Sequence, residues 1–219
     1  MIFQIIYAVT FIFLLIYLFY LHLFYKGLRK RDVKFSNEKP FVSVVVAARN
    51  EEQNIARLLT VLVNQTYPSD KFDIIIANDG STDSTESIVN KFATKWTKIK
   101  LLNVTGREDV ISPKKNALSQ AIELAGGEII LSTDADCLVG KYWIESMVAN
   151  FNENEMVIGY SRTKLADWNK TSFIKKFEHF DFLAMLFAAA GATSSGKYFS
   201  CSGQNIAYKK QAFNDVGGF

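Results

Sequence analysis

From Ile2 to Tyr25 the chain carries no formal charge, and only Gln4, Thr10 and His22 are strongly polar. That run is long enough for a membrane-spanning helix, which takes about 20 apolar residues, and it divides the chain into two materials. A secretory signal peptide is the rival. Its apolar core is about 7–15 residues long and ends in small residues, whereas this run closes on Leu23-Phe24-Tyr25. Residues 1–25 therefore read as a retained transmembrane helix, with His22 near its interfacial end.

Lys26, Arg29, Lys30, Arg31 and Lys34 follow at once. Positive residues beside a span stay in the cytoplasm. Residues 26–39 then form a basic juxtamembrane linker, and the remainder is expected to be cytoplasmic behind a single-pass anchor. Those five bases and Asp32 account for the excess of 25 Lys and Arg over 22 Asp and Glu. The nearly neutral remainder has no electrostatic footprint for nucleic acid, though the basic run suits anionic lipid headgroups. Cys137 and Cys201 are expected to be reduced in the cytoplasm. They lack the spacing of a zinc site, and His179 lacks a partner motif. All three read as packing or local residues. Residues 40–219 suffice for one single-core domain.

Within that domain, Val42 to Ala47 is a β-branched run that reads as a buried strand. Asn50 with Gln53 resembles a capping box. Ile55, Leu58, Leu59, Leu62 and Val63 then repeat at three and four, a helix face ended by Tyr67-Pro68. Strands are expected at Phe72–Ala77, Ile99–Val104 and Glu128–Thr133. Helices are expected from an Asp83/Glu86 cap to about Lys95, and from Lys114 to Ala125, where Gly126-Gly127 acts as a stop. Alternating strands and helices imply a mainly parallel sheet with helices on both faces. Beyond Lys141 the pattern loosens. Met156–Tyr160 and Asn205–Tyr208 read as strands, and a helix is expected from Lys210. Thr171–Ala190 reads as a long apolar helix bearing Phe173, Phe177, Phe180, Phe182, Leu183, Leu186 and Phe187. Core packing is its default role, an interfacial helix the next, and the lining of an acceptor groove the third.

Asp134-Ala135-Asp136 follows the apolar run Ile129-Ile130-Leu131. On an extended backbone two such carboxylates point to the same face. Like charges that close repel, so the pair suggests a cation between them. Hard oxygen ligands suit Mg²⁺ or Mn²⁺, which commonly complete their coordination with substrate phosphates. A solvated turn with two surface acids is the alternative. In open α/β sheets ligands lie beyond the carboxyl ends of the strands. Those ends carry Ala47-Ala48-Arg49-Asn50-Glu51, Asn78-Asp79-Gly80-Ser81 and Thr133-Asp134-Ala135-Asp136. Neither GxGxxG nor GxxxxGK[ST] occurs where dinucleotide or P-loop chemistry needs it.

The segments Ser43–Glu52 and Asn78–Asp83 resemble the nucleotide-binding start of family 2 glycosyltransferases of the GT-A fold. Asp134-Ala135-Asp136 falls where that family has its metal-binding Asp-X-Asp. Cys201–Ala207, with Val216-Gly217-Gly218-Phe219, resembles the family's acceptor-side segment. The resemblance spans about Pro40 to Phe219, and four motifs in order make it specific. It implies an α/β, GT-A-type (Rossmann-like) mixed, mainly parallel sheet behind one N-terminal transmembrane helix.

The resemblance also implies roles. Ala48, Arg49 and Glu51 line the nucleoside pocket, with Glu51 accepting a ribose hydroxyl. Asp79, beside Gly80, accepts from a uracil ring N–H, since a carboxylate only accepts. The alternatives are a helix-start acid at Glu51 and plain turn chemistry at Asp79-Gly80. Lys114 or Lys115 supplies a cation for the diphosphate at a helix N-terminus, or is a solvated surface lysine. Asp136 binds the metal, and Asp134 meets the ribose or the ion's water shell. Ser202, Gly203, Gln204 and Asn205 lie on the acceptor side.

The implied reaction is inverting transfer of a sugar from a nucleotide-sugar, a UDP-sugar first, to a hydroxyl of a lipid-linked or polysaccharide glycan, assisted by Mg²⁺ or Mn²⁺. The family's general base, an Asp or Glu just after the Gly-Gly-Phe segment, is expected beyond Phe219, as is the Gln-x-x-Arg-Trp of processive members. The C-terminal part of the domain is thus expected to be missing from this sequence. Glu178 and Asp181 read as a solvated helix face rather than substitute bases. The rival function is a catalytically incomplete nucleotide-sugar-binding module serving as a regulatory or partner subunit. A nucleotidylyltransferase fits less well, because Ala48-Arg49-Asn50-Glu51 is not a glycine-rich basic loop.

Overall fold

The computed structural model describes residues 1–29, 37–106, 112–163, 167–198 and 200–219. Its strands are β1 (Val42–Ala48), β2 (Phe72–Asn78), β3 (Ile99–Asn103), β4 (Ile129–Thr133), β5 (Met156–Ile158) and β6 (Asn205–Lys209). Its helices are α1 (Ile2–Arg29), α2 (Ile55–Val63), α3 (Thr85–Ala93), α4 (Pro113–Leu124), α5 (Trp143–Val148), α6 (Phe173–Ser194) and α7 (Lys210–Asp215). The chain divides into two compact units, residues 34–159 with 203–219 and residues 1–33 with 160–202.

The first unit holds one six-stranded sheet in the order β3-β2-β1-β4-β6-β5. β1 pairs in parallel with β2 and β4, and β2 with β3, while β6 runs antiparallel to β4 and β5. Side chains alternate along β1. Val42, Val44, Val46 and Ala48 enter the same cluster as Ile55, Leu58, Leu59 and Leu62 of α2, Val89 of α3 and Trp143 and Ile144 of α5. Val45 instead joins Ile75, Ile130 and the α4 residues Ala117, Leu118, Ala121 and Ile122. Helices cover both faces, which is why these strands are apolar throughout rather than alternating. From β1 the order runs to β2 and β3 on one side and to β4 on the other, so the β1/β4 boundary is the switch point.

Several local expectations are corrected. Asn50 is not an N-cap: α2 starts five residues later behind Asn54, and Asn50 takes a left-handed backbone with φ 56°. α3 starts at Thr85 behind Ser84, so Asp83 and Glu86 form no capping box. Asp83 Oδ1 accepts from Thr85 N (2.9 Å) with no return bond from Glu86, which accepts from Asn103 Nδ2 at 3.2 Å. The short helix α5 falls where the sequence pattern loosens. Gly127 serves close approach rather than a left-handed cap. A Cβ there would collide with the backbone of Ser43, whose Oγ accepts from Gly127 N (2.9 Å) and donates to Asp73 (2.6 Å).

In the second unit, α1 is the one helix among the described residues long and apolar enough to cross a membrane. It runs past Tyr25 to take in Lys26 and Arg29, bases that suit a helix C-terminus. Lys30, Arg31 and Lys34 lie outside the described residues. α6 begins behind Ser172, whose Oγ accepts from Lys175 N at 3.4 Å. Its aromatic residues do not form a core: Gly191 and Ala192 are its buried residues, and Phe173, Phe177 and Phe180 are exposed. α1 and α6 meet where Gly27 faces Gly191, and a Cβ on either would strike the other helix's backbone. Small residues permit that approach. Ser195 Oγ lies 2.9 Å from Gly191 O and 3.2 Å from Leu23 O, bridging the two helices.

Candidate functional site

Strand register assembles the site. Ala48 pairs with Asn78, Asn78 with Asn103, and β4 ends at Thr133 beside β1, so the parallel strands finish on one rim. β6 runs the other way, and its first residue, Asn205, pairs with Thr133. Gly203 and Gln204 therefore reach this rim alongside Arg49, Asp79 and Asp134. Ser202, half-buried, belongs to the other unit.

The loops after β1 and β2 are stitched together. Asn50 N donates to Ser81 Oγ (3.0 Å), and Asn50 Oδ1 accepts from Thr82 N (2.8 Å). Glu51 N donates to Thr85 Oγ1 (2.7 Å), and that hydroxyl donates to Asp83 Oδ1 (2.5 Å). Glu52 N donates to Asp83 Oδ2 (3.1 Å), while the Glu52 carboxylate accepts from Ser84 N (3.0 Å). The left-handed turn at Asn50 is the strained step these bonds hold. Burial pushes the Asp83 carboxyl up, but hydrogen bonds from Thr85, Glu52 and its own N–H outweigh burial and hold it below its ordinary value.

Within this frame Ala48 is buried and Arg49 exposed. Glu51 is half-buried and accepts from Asn54 Nδ2 at 2.8 Å. Asp79 is buried at the end of β2, its N–H donating to Ala48 O (2.9 Å). Gly80 takes φ 64°, a backbone glycine adopts readily. Sequence reasoning gave Glu52, Asp83 and Thr85 no part in this frame. Their signal was the density of Asn, Asp, Ser and Thr in both loops, side chains that bond readily to nearby N–H groups.

Asp134-Ala135-Asp136 does not lie on extended backbone. The strand ends at Thr133, and Cys137 N donates to Asp134 O (3.1 Å), closing a turn. Asp134 is consequently half-buried, Ala135 buried and Asp136 exposed. Lys114, in the first turn of α4, pairs with Asp134 Oδ1 at 2.5 Å, whereas Lys115 lies over the Phe219 ring at 5.8 Å. Burial pushes the Cys137 thiol up, and the charges of Asp136 and Asp134 push it further. Both carboxylates thus act on one place. Among the described residues no third His, Cys, Asp or Glu joins them. Two hard-oxygen side chains fit a divalent cation that takes its other ligands from a diphosphate, not an all-protein cage.

At the start of β6, Trp143 Nε1 donates to Asn205 Oδ1 (2.8 Å), and Gly159 N donates to Asn205 O (2.8 Å). Trp143 and Gly159 thereby fix the start of β6.

The strand order, the switch-point rim and the covered faces define an α/β domain of the GT-A type. The chain belongs to glycosyltransferase family 2: the model described as Glycosyl transferase family 2 matches residues 43–217. The beta-monoglucosyldiacylglycerol synthase of Nostoc sp. is 31% identical over 180 residues, 82% of this chain and 38% of that protein. The probable glycosyltransferase YdaM of Bacillus subtilis is 30% identical over 188 residues, 83% of this chain and 43% of that protein. The solved structure of the mannosyltransferase PcManGT from Pyrobaculum calidifontis in complex with GDP-Man and Mn²⁺ shares the fold. Its TM-score is 0.71 at 24% identity, over 92% of this chain and 54% of that chain. The chain spans less than half the length of these curated relatives.

Proposed function

We propose that residues 40–219 bind a nucleotide-sugar, a UDP-sugar first, at the rim of the sheet, and serve inverting transfer of the sugar to a hydroxyl acceptor on the cytoplasmic face of a membrane. One observation carries this reading. The ends of β1, β2 and β4 put the stitched loop Arg49–Glu52, Asp79 and the Asp134–Asp136 turn on one rim, with Lys114 paired to Asp134. The likeness to structures holding GDP-Man with Mn²⁺, and UDP or UDP-GlcNAc, supports the donor class. The Nostoc relative's name and α1 together favour a lipid-linked acceptor, and the relative named poly-beta-1,6-N-acetyl-D-glucosamine synthase a polysaccharide.

In this reading the buried Asp79 accepts from the base, and Arg49 and Glu51 flank the nucleoside. Lys114 exchanges Asp134 for the diphosphate and stays paired with negative charge throughout. Asp134 and Asp136 would hold Mg²⁺ or Mn²⁺, which when bound neutralises charge on the departing nucleoside diphosphate. In the transfer itself the acceptor oxygen forms its bond to the sugar's anomeric carbon as the carbon–phosphate-oxygen bond breaks, the pair of electrons leaving with the nucleoside diphosphate and the hydroxyl proton passing to an Asp or Glu base of the kind this family carries just after its Gly-Gly-Phe segment. In this reading residues 1–25 anchor the chain through α1, and 26–39 link that anchor to the domain. Calorimetric titration with UDP and with GDP, in Mn²⁺ and in EDTA, tests the reading. Binding of UDP that needs Mn²⁺ and weakens at least about tenfold in Asp136→Ala is expected, a change of ~1.4 kcal/mol. Equal affinity in both proteins would remove Asp136 from the site.

A further inference from the structure

Phe173, Phe177, Phe180, Ala184, Phe187 and Gly191 follow one another at spacings of four and three, so they share one stripe of α6. At its last position the stripe seats α1, through the backbone contact of Gly191 with Phe24. The phenylalanines before it are exposed within this unit. Phe173 is 81% exposed, Phe177 63% and Phe180 58%. The open stripe is therefore continuous with the surface that holds α1, the helix of membrane-crossing length and composition.

Its surroundings match a bilayer interface better than a protein partner. Lys175, Glu178 and Asp181 are exposed on α6 between the phenylalanines, which rules out immersing the whole helix. Trp168 packs edge-on against Phe180, with the Lys176 ammonium 4.9 Å from the Trp168 ring centre. Tyr160 lies against Phe187. Phe inward, Trp and Tyr at the margin and Lys alongside is the arrangement of a helix lying in the headgroup plane. Lys170, Lys175 and Lys176, with Lys26 and Arg29 at the end of α1, give this unit bases that complement anionic headgroups.

We propose that α6 is an in-plane membrane helix, its phenylalanine stripe inserted among acyl chains beside α1 and its lysines on anionic headgroups. This rests on the reading of α1 as a membrane span. The whole chain is reconstituted in vesicles of phosphatidylcholine and phosphatidylglycerol carrying a phosphatidylcholine with a diazirine in its acyl chain. Adducts are then mapped by mass spectrometry after illumination. Adducts on α1 and on the Phe177–Phe187 stretch are expected, those on α6 being lost in Phe177→Ser/Phe180→Ser/Phe187→Ser while those on α1 persist. In Lys175→Glu/Lys176→Glu, dependence of α6 labelling on phosphatidylglycerol should be lost. Labelling of α1 with protection of α6 in the unaltered protein overturns the proposal, and a dimeric mass in that case assigns the stripe to a second copy. Labelling of neither helix overturns both the proposal and the anchor reading.

Discussion

Lys114 and Lys115 are neighbours in sequence and diverge in space. The first turn of α4 sends Lys114 to Asp134 and Lys115 to the Phe219 ring. Lys114→Ala is expected to weaken UDP binding in Mn²⁺ about tenfold, and Lys115→Ala to leave it within about twofold, because a charge-assisted contact to phosphate is lost in the first alone. Equal effects in calorimetry would erase the distinction. Asp83 makes a pH prediction. Its carboxyl is held below the ordinary value, so its contribution is full above the unfolded value of about 4 and is lost as pH falls through the folded value. Protonation unlocks Glu52 N and Thr85 from the stitch. Thermal unfolding followed from pH 6 to pH 3 should fall less steeply in Asp83→Asn. Parallel curves would show that Asp83 adds nothing to the acid response.

At the scale of elements, Gly127 decides how closely the end of α4 approaches β1. Gly127→Ala forces the added methyl against Ser43, whose hydroxyl links Gly127 N to Asp73, and should cost about 1–3 kcal/mol in chemical unfolding. A loss well under 0.5 kcal/mol would mean the backbone yields freely there. The strands were legible because strands buried on both faces are short and mostly β-branched, as in Val42–Val46, interrupted by Ser43, and in Ile74–Ile76. The caps were misread for one physical reason. Asn50 Oδ1 is spent on Thr82 of the neighbouring loop, and Asp83 divides its oxygens between Thr85, two residues on, and Glu52 of that loop, partners that a spacing rule of three residues does not see. The turn at Asp134, made by Cys137 N, was missed because the apolar run before it read as extended backbone through Asp136, whereas β4 stops at Thr133. On α6 composition misled: phenylalanine usually means core, but burial depends on what the rest of the chain lays against it. In α5 the apolar positions are Trp143, Ile144, Met147 and Val148, too short a run to show a period.

For the molecule as a whole, a donor that binds only the folded sheet must raise its stability, by about 2.7 kcal/mol at a hundredfold excess over Kd. UDP with Mn²⁺ is expected to raise the unfolding temperature, EDTA to cancel the rise, and Asp136→Ala to cut it to about half at the same UDP concentration. A rise that survives EDTA would place nucleotide binding outside the Asp134/Asp136 turn. The rim itself was legible in the sequence, as three strand ends and the segment Cys201–Ala207 that leads into β6. What joins them was not, because it depends on β6 running against its neighbours. β5 and β6 are adjacent and antiparallel, and the bond from Gly159 N to Asn205 O pins the chain where it leaves the sheet to the point where it returns. Residues 160–202 are thus, in topology, the overgrown turn of a hairpin. Such a cassette can change in length and content over generations without moving Asn205 from Thr133. A lineage can then alter what the cassette touches while inheriting its donor chemistry intact.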